Sequence, residues 1–120
     1  MRNIDYVIER TTRGKVTVTA LCEDGCRYEV EHLGGQSLTG FEFGYVGSGP
    51  ADLATSLLAD ALGEDITLDA DRQAGRTTRT GRHSAALEDE VVARRCTQQG
   101  AVAWSISREE ILTWLGRQGA

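Results

Sequence analysis

Apolar and polar residues alternate along the first third of the chain with the two-residue period of β-strands. The alternation runs through residues 4–8 (IDYVI), 16–20 (VTVTA) and 27–31 (RYEVE). The tripeptide Glu23-Asp24-Gly25 between the last two segments is typical of a tight hairpin. Because each segment has one apolar and one polar face, the pattern predicts an antiparallel sheet with one face in water.

A further strand and a central helix are predicted for residues 41–62, FEFGYVGSGPADLATSLLADAL. Three alternating aromatic residues would line one face of the strand, namely Phe41, Phe43 and Tyr45. Pro50 suits the first helical position, because an N–H group there has no partner within the helix. Gly63 suits the position just after the helix, where a left-handed conformation is common.

The predicted helix is amphipathic, with a 3.6-residue period. Its apolar side, which we expect to face the sheet, comprises Leu53, Ala54, Leu57, Leu58, Ala61 and Leu62. Its other side, which we expect to face solvent, comprises Asp52, Thr55, Ser56, Ala59 and Asp60. The dipole of the helix favours an anion such as Asp52 near its start.

An arginine-rich segment separates this helix from the last elements of the chain. Residues 72–83 (RQAGRTTRTGRH) contain no acidic or large apolar side chain, so we expect a mobile loop on which the fold does not depend. A short helix is predicted for residues 85–95, and alternation predicts a last strand at residues 102–106. Ser107 and Glu110 then form a capping-box pattern at the start of a closing helix. That helix would present Ile111, Leu112, Trp114 and Leu115 inward.

These elements together predict an α+β fold in one domain spanning residues 1–120. An antiparallel sheet of four to five strands would carry two to three helices on one face. No apolar run is long enough to span a bilayer, and residues 1–5 lack the apolar core of a signal peptide, so we expect a cytoplasmic protein. The odd number of cysteines, three, also favours a reducing compartment over a disulfide framework.

Two sequence boxes resemble a known family. They are GYVGSGPADLA at residues 44–54 and WSISREEILTWL at residues 104–115. In these boxes, and across residues 38–116, the chain is similar to small bacterial and phage proteins classed as domain of unknown function 6166. Residues 72–82 look like an insertion in this chain relative to the tighter connection of that family. The resemblance implies a compact domain often carried by phages and mobile elements, and it supplies no catalytic residues.

Gly47, Ser48 and Gly49 form a candidate anion-binding loop. Free N–H groups and the helix dipole converge where a glycine-rich loop opens a helix. The loop lacks the lysine of a phosphate-binding P-loop, however. The competing interpretation, which we favour, is a corner that needs glycine for tight backbone geometry.

The cysteines suggest two kinds of chemistry. Cys22 and Cys26 flank the predicted hairpin tip and could bind a metal with Cys96, His32 or His83. The spacing is less specific than C-x₂-C, so it favours free thiols, and we expect no structural metal and no cofactor. Cys96 with either histidine is also an available nucleophile–base pair, but no local motif marks it, and we assign no catalytic residue.

Two charged regions are candidate contact sites. The first is basic and could hold nucleic-acid phosphates; it comprises Arg72, Arg76, Arg79 and Arg82. No aromatic residue interleaves with these arginines, and the sequence pI is near 5.0, so a solvated loop is the favoured interpretation. The second is an acidic sheet face with Glu29 and Glu31, which could contact a basic partner.

Taken together, the sequence favours a non-enzymatic module that interacts with another protein. The resemblance to mobile-element proteins makes an inhibitor or adaptor that counters host defence the specific hypothesis. The alternative is nucleic-acid binding through residues 72–82. We expect no membrane association.

Overall fold

The fold is a four-stranded antiparallel sheet with three helices. The computed structural model describes residues 3–33, 40–64, 78–94 and 102–118. Within these ranges the elements are β1 (Ile4–Arg10), β2 (Val16–Cys22), β3 (Arg27–Glu29), α1 (Ser48–Leu62), α2 (Arg79–Glu90), β4 (Ala103–Ser107) and α3 (Arg108–Gly116). A short 3₁₀ helix, Val92–Arg94, follows α2. The predicted α+β class is confirmed.

The sheet has the strand order β3-β2-β1-β4. The hairpin of β1 and β2 forms its centre, with β4 beside β1 at one edge and β3 beside β2 at the other. Tyr6 lies opposite Ala20 on one side and Ile106 on the other. Residues opposite each other in neighbouring strands point to the same face of a sheet. These three side chains are buried and form one row of the core.

The predicted aromatic strand at residues 41–45 does not form among the described residues. Phe41 makes a single antiparallel bridge with Val16, outside any named strand. Gly44 then adopts a positive φ of 86°, and its N–H donates to the carbonyl of Val92. The alternation therefore stops at Phe43, which is buried, and Tyr45 is 52% exposed instead of facing the core.

Helix α1 begins two residues earlier than predicted, at Ser48. Pro50 is thus the third helical residue, which is also tolerated because none of the first four N–H groups has a partner within the helix. The predicted stop at Gly63 is confirmed. Gly63 has φ 68°, and its N–H and that of Glu64 donate to the carbonyls of Asp60 and Ala59. This arrangement is a Schellman motif.

Three of the five α1 residues predicted to face solvent are buried, and Thr55 and Asp60 are partly buried. Asp52 and Ser56 have 0% exposure, and Ala59 has 2%. Helix α2 packs along α1, and Leu33 is hydrogen-bonded to Ser56 on this side. Helix α1 is therefore enclosed by other parts of the chain, although its periodicity is that of a half-exposed helix.

Helix α2 begins at Arg79, six residues before the predicted start. Residues 79–83 of the predicted loop are therefore helical, whereas residues 72–77 lie outside the described part of the chain. The side chain of Thr78 accepts a hydrogen bond from the N–H of Gly81, and both Thr78 and Thr80 are buried. Thr78 and Thr80 are thus buried rather than part of a solvated loop, while the expectation that the fold does not depend on residues 72–82 stays a prediction.

Helix α3 has the predicted capping box. The N–H of Glu110 donates to Oγ of Ser107 over 3.0 Å, and the N–H of Ser107 donates to Oε1 of Glu110 over 3.2 Å. The inward-facing side chains are Ile111, Trp114 and Leu115, while Leu112 is only partly buried. The guanidinium of Arg108 also donates to the carbonyl of Ala61 at the end of α1. None of the helices in the described ranges has the length and apolarity that crossing a bilayer demands.

The predicted core position of α1 leads to a stability test. Leu57 and Leu58 are buried, with 1% and 0% exposure. Replacing either with Ala should lower the free energy of unfolding by about 2–5 kcal/mol, because each change leaves a cavity. Chemical denaturation of the two variants checks this. Leu21→Ala, a change on the exposed sheet face, is the matched control and should cost far less. Equal midpoints for all four proteins would contradict the packing.

Candidate interaction surface

Three polar residues lie on one side of α1 at a spacing of four: Asp52, Ser56 and Asp60. We call them the α1 polar stripe. Each is hydrogen-bonded to another part of the chain. The N–H of Leu33 donates to Oγ of Ser56 over 2.8 Å. The stripe therefore fastens residues 28–33, which comprise the end of β3 and the segment after it, onto the central helix.

Asp60 accepts two tyrosine hydroxyls on the same oxygen. The hydroxyls of Tyr6 and Tyr28 each lie 2.6 Å from Oδ2 of Asp60. Burial raises the pKa of both tyrosines, and the hydrogen bond to Asp60 raises each pKa further. Both hydroxyls therefore stay protonated at neutral pH and act as donors.

His32 contacts the first residue of the α1 polar stripe, Asp52. Its Nε2 lies 2.6 Å from Oδ2 of Asp52, and its ring packs against Phe41 with centroids 4.7 Å apart. A carboxylate that orients an imidazole is also one part of a catalytic triad. Within the described ranges, however, no serine or cysteine is hydrogen-bonded to this imidazole. The hydrogen bond joins the segment after β3 to α1.

The candidate anion-binding loop already contacts a carboxylate of the protein. The N–H of Gly47 donates to Oε2 of Glu88, a buried residue of α2, over 2.9 Å. A Cβ added at Gly49 would lie 2.8 Å from the Cβ of Glu42. Gly49 is thus needed for close approach of two backbone segments. These contacts support the interpretation of residues 47–49 as a tight corner, and an external anion would have to displace Glu88.

The start of α2 also contacts a carboxylate of the protein, that of Glu64. Glu64 accepts hydrogen bonds from the N–H groups of Arg79 and Thr80 and from the hydroxyl of Thr80, over 2.7–2.9 Å. Partial burial raises the pKa of Glu64, but the hydrogen bonds from Thr80 and Arg79 together lower it below its ordinary value. Glu88 likewise accepts the N–H of Gly47, the residue just before α1. The first N–H groups of α2, which would bind a phosphate, are therefore already satisfied by Glu64.

The four candidate arginines are divided by the limits of the described chain. Arg79 and Arg82 are exposed and lie three residues apart on the first turn of α2. Arg72 and Arg76 fall outside the described residues. The structure thus brings two of the four arginines close together.

The candidate acidic residues are exposed, as predicted. Glu29 belongs to the edge strand β3 and Glu31 follows it. The register places Glu29 opposite Thr19, which lies opposite Val7. This row lies on the sheet face away from the helices. Asp5 and Glu9, at alternate positions of β1, lie on the same face and add to its negative charge.

Sequence reasoning missed a group of exposed apolar side chains near one end of the sheet. Tyr45, Val46 and Val102 are 52%, 65% and 60% exposed. The N–H of Arg10 donates to the carbonyl of Val102, and the charge of Arg10 affects the pKa of Tyr45. We call these three residues, together with Arg10, the Arg10 patch.

Aromatic side chains pack beside Arg10 of the patch. The guanidinium of Arg10 lies 4.4 Å from the ring centroid of Phe43 and is hydrogen-bonded to Glu42. Phe43 in turn contacts Trp104 edge to face, with centroids 6.0 Å apart. Cation–π and ion-pair contacts on both sides restrict the guanidinium to one orientation. Arg10 is therefore pre-organised within the patch, whereas the three apolar side chains are exposed.

Two of the three cysteines are brought together with a carboxylate. The ligand atoms of Cys22, Asp24 and Cys26 all lie within 4.8 Å of one another at the β2–β3 hairpin. Neither Cys22 nor Cys26 is in a disulfide bond. Cys96 lies outside the described residues.

Comparison with known proteins identifies a family for this chain. The model of a family of unknown function, DUF6166, matches residues 6–117 of this chain. No curated protein and no solved structure matches it.

The shared acceptor of the two tyrosines can be tested by removing each hydroxyl. Tyr6→Phe should lower the free energy of unfolding by about 1.5–3 kcal/mol, because Tyr6 is buried and its acceptor is a carboxylate. Tyr28→Phe should cost less, since Tyr28 is 37% exposed. Urea denaturation of the single and double variants measures the coupling, and we expect the double loss to exceed the sum. Tyr45→Phe, at an exposed position, is the control; additive losses would contradict a shared acceptor.

The cap supplied by Glu64 should make stability depend on pH. The pKa of Glu64 is lowered by folding, so its stabilisation is complete above the ordinary value of 4.5 and is lost as pH falls through the lowered pKa. Glu64→Gln should therefore be less stable by about 0.3–1 kcal/mol at pH 7. The difference should vanish in acid. Thermal melts between neutral and acidic pH check this, with Glu9→Gln as the control for net charge; a difference that is constant with pH would contradict the cap.

Proposed function

We propose that this chain, which belongs to the family of unknown function DUF6166, is a non-enzymatic module that binds another protein. The observation on which the proposal rests is the Arg10 patch. Among the described residues five large apolar side chains are exposed, and three of them belong to this patch. A concentration of exposed apolar side chains around a polar centre is typical of protein-binding surfaces.

The composition of the patch supports a protein partner. Tyrosine and arginine are the residue types that most often dominate binding energy at protein interfaces. Arg10 is held by Glu42 and Phe43 before any partner arrives, so binding would cost little side-chain entropy there. An arginine that is pre-organised in this way favours a defined partner surface.

The charge of the neighbouring sheet face indicates what that partner surface contains. Glu9, which precedes Arg10 on β1, lies on the same exposed face as Asp5 and Glu29. Among the described strand residues on this face, only Arg27 is basic. The chain as a whole carries a net charge of −5. We therefore propose a partner that places apolar side chains on the patch and basic side chains beside it.

The finer form of the proposal is an inhibitor or adaptor that acts on a protein of host defence. It is supported by the resemblance to small proteins carried by phages and mobile elements. An apolar surface on a compact, acidic domain suits such a role, since inhibition by binding needs no catalytic residue.

The second candidate function is nucleic-acid binding. It is favoured by the exposed position of Arg79 and Arg82 on one turn of α2, next to the remaining arginines of residues 72–82 in the sequence. It is disfavoured by the carboxylate of Glu64, which caps that helix start and would repel a phosphate.

A pull-down with the full chain, done with and without nuclease, tests the proposal. A partner protein identified in this way is then purified and titrated against three variants. Tyr45→Ser combined with Val102→Ser should weaken binding at least about tenfold, because it removes the exposed apolar contacts. Leu21→Ser, an apolar-to-polar change at the opposite end of the sheet, should leave binding unchanged.

The third variant separates the two functions. Changing Arg72, Arg76, Arg79 and Arg82 together to Gln should not affect the protein partner. If the wild-type chain instead retains DNA or RNA in a salt-sensitive complex, and the four-Gln variant loses it, the nucleic-acid alternative is correct. Equal loss of binding with Leu21→Ser would show that the Arg10 patch is not the binding surface.

A further inference from the structure

We propose that the β2–β3 hairpin binds one zinc-class divalent cation through Cys22, Asp24 and Cys26. The inference is independent of the proposed function, because the hairpin lies at the opposite end of the sheet from the Arg10 patch. In the register of β1 and β2, Cys22 is paired with Ile4, whereas Arg10 is paired with Val16.

The backbone of the hairpin fixes the three ligand positions. The N–H of Cys22 donates to the carbonyl of Cys26 over 2.8 Å, so the two cysteines face each other across the strand ends. Gly25 adopts a φ of 87°, and its N–H donates to the carbonyl of Cys22. This turn, followed by a left-handed glycine, is a common and rigid three-residue hairpin connection.

Asp24 is held over the same turn. Its Oδ1 accepts the N–H of Cys26 over 3.1 Å, which directs the carboxylate back toward the cysteines. The two sulfur atoms and a carboxylate oxygen lie within 4.8 Å of one another. Two thiolates on one tetrahedral zinc ion are roughly 3.8 Å apart, given a zinc–sulfur distance of about 2.3 Å. Small rotations of exposed side chains would therefore complete the site.

The donor set selects the ion. Two thiolates and one carboxylate are suited to zinc and to similar thiophilic cations, whereas calcium and magnesium require oxygen ligands. Three protein ligands leave a fourth tetrahedral position, which solvent would occupy. Because thiols must lose their protons to bind, uptake of the ion should release protons and weaken as pH falls.

The site is peripheral to the fold. Cys26 and Asp24 are exposed and Cys22 is only partly buried, and none of them belongs to the apolar core. Removal of the ion should therefore leave the secondary structure in place. This behaviour distinguishes the site from a structural zinc site, whose loss unfolds the domain.

Metal titration of the reduced full chain tests the proposal. Under anaerobic conditions Co²⁺ should bind at one equivalent and produce thiolate-to-metal charge-transfer absorption, and Zn²⁺ should displace it. Cys22→Ser and Cys26→Ser should each abolish the absorption. Cys96→Ser is the matched control and should retain both the stoichiometry and the spectrum.

Asp24→Asn is the most specific variant. Its amide oxygen can still accept the N–H of Cys26, so the turn is kept while the anionic ligand is lost. Affinity for Zn²⁺ should fall at least about tenfold, a loss that even a residue orienting a metal ligand can produce. Circular dichroism with and without chelator should show the same fold.

Three results would overturn the site. One is the absence of charge-transfer absorption in fully reduced protein. Another is an unchanged spectrum in the double variant Cys22→Ser, Cys26→Ser. The third is Zn²⁺ affinity in Asp24→Asn equal to that of the wild-type chain, which would exclude the carboxylate as a ligand.

Discussion

The structure depends on the burial of polar residues along the central helix. Asp52 and Ser56 are fully buried and Asp60 is partly buried, and an uncharged polar group buried without a partner costs roughly 2–7 kcal/mol. Each is instead hydrogen-bonded to a residue of another element or of the segment after β3. Because these bonds have fixed directions, they determine how residues 28–33 cross α1, which apolar contacts would leave less defined. The segments that enclose α1 therefore also supply the hydrogen-bond partners of its polar stripe.

The pairing of α1 with α2 follows a related principle. Each helix start receives a carboxylate from residues near the end of the other, Glu88 for α1 and Glu64 for α2. Such an exchange requires the helices to be antiparallel and fixes their relative translation, because a shift of one turn would separate both carboxylates from their N–H groups. At α2 it also satisfies the first helical N–H groups, which would otherwise attract a phosphate. The geometry thus gives a structural role to the glycine-rich corner at residues 47–49.

The sequence was informative where apolar residues decide the structure. The strands β1, β2 and β4, the apolar side of α1 and the capping box of α3 all follow from period and composition. It was misleading where polar residues are buried. Asp52 and Ser56 have the spacing of a solvated face, and Thr78 and Thr80 lie in a segment without large apolar side chains, yet all are enclosed. One signal was present in the sequence. Three residues of α1 are small, Ala54, Ser56 and Ala59, and small side chains permit close approach of other elements. The exposed position of Tyr45 had no signal of this kind, because it results from the φ of Gly44 and a hydrogen bond to distant Val92.

The sheet separates the two surfaces proposed for binding. The Arg10 patch and the hairpin with Cys22 lie at opposite ends of β1, six residues apart, which is about 20 Å along a strand. Side chains at that separation with no shared contact are expected to contribute independently to binding and stability. Between them lies the buried row of Tyr6, Ala20 and Ile106, held to α1 through Asp60. A rigid centre of this kind lets each end bind its own ligand without transmitting a change to the other, so metal uptake at the hairpin should leave binding at the Arg10 patch unaltered.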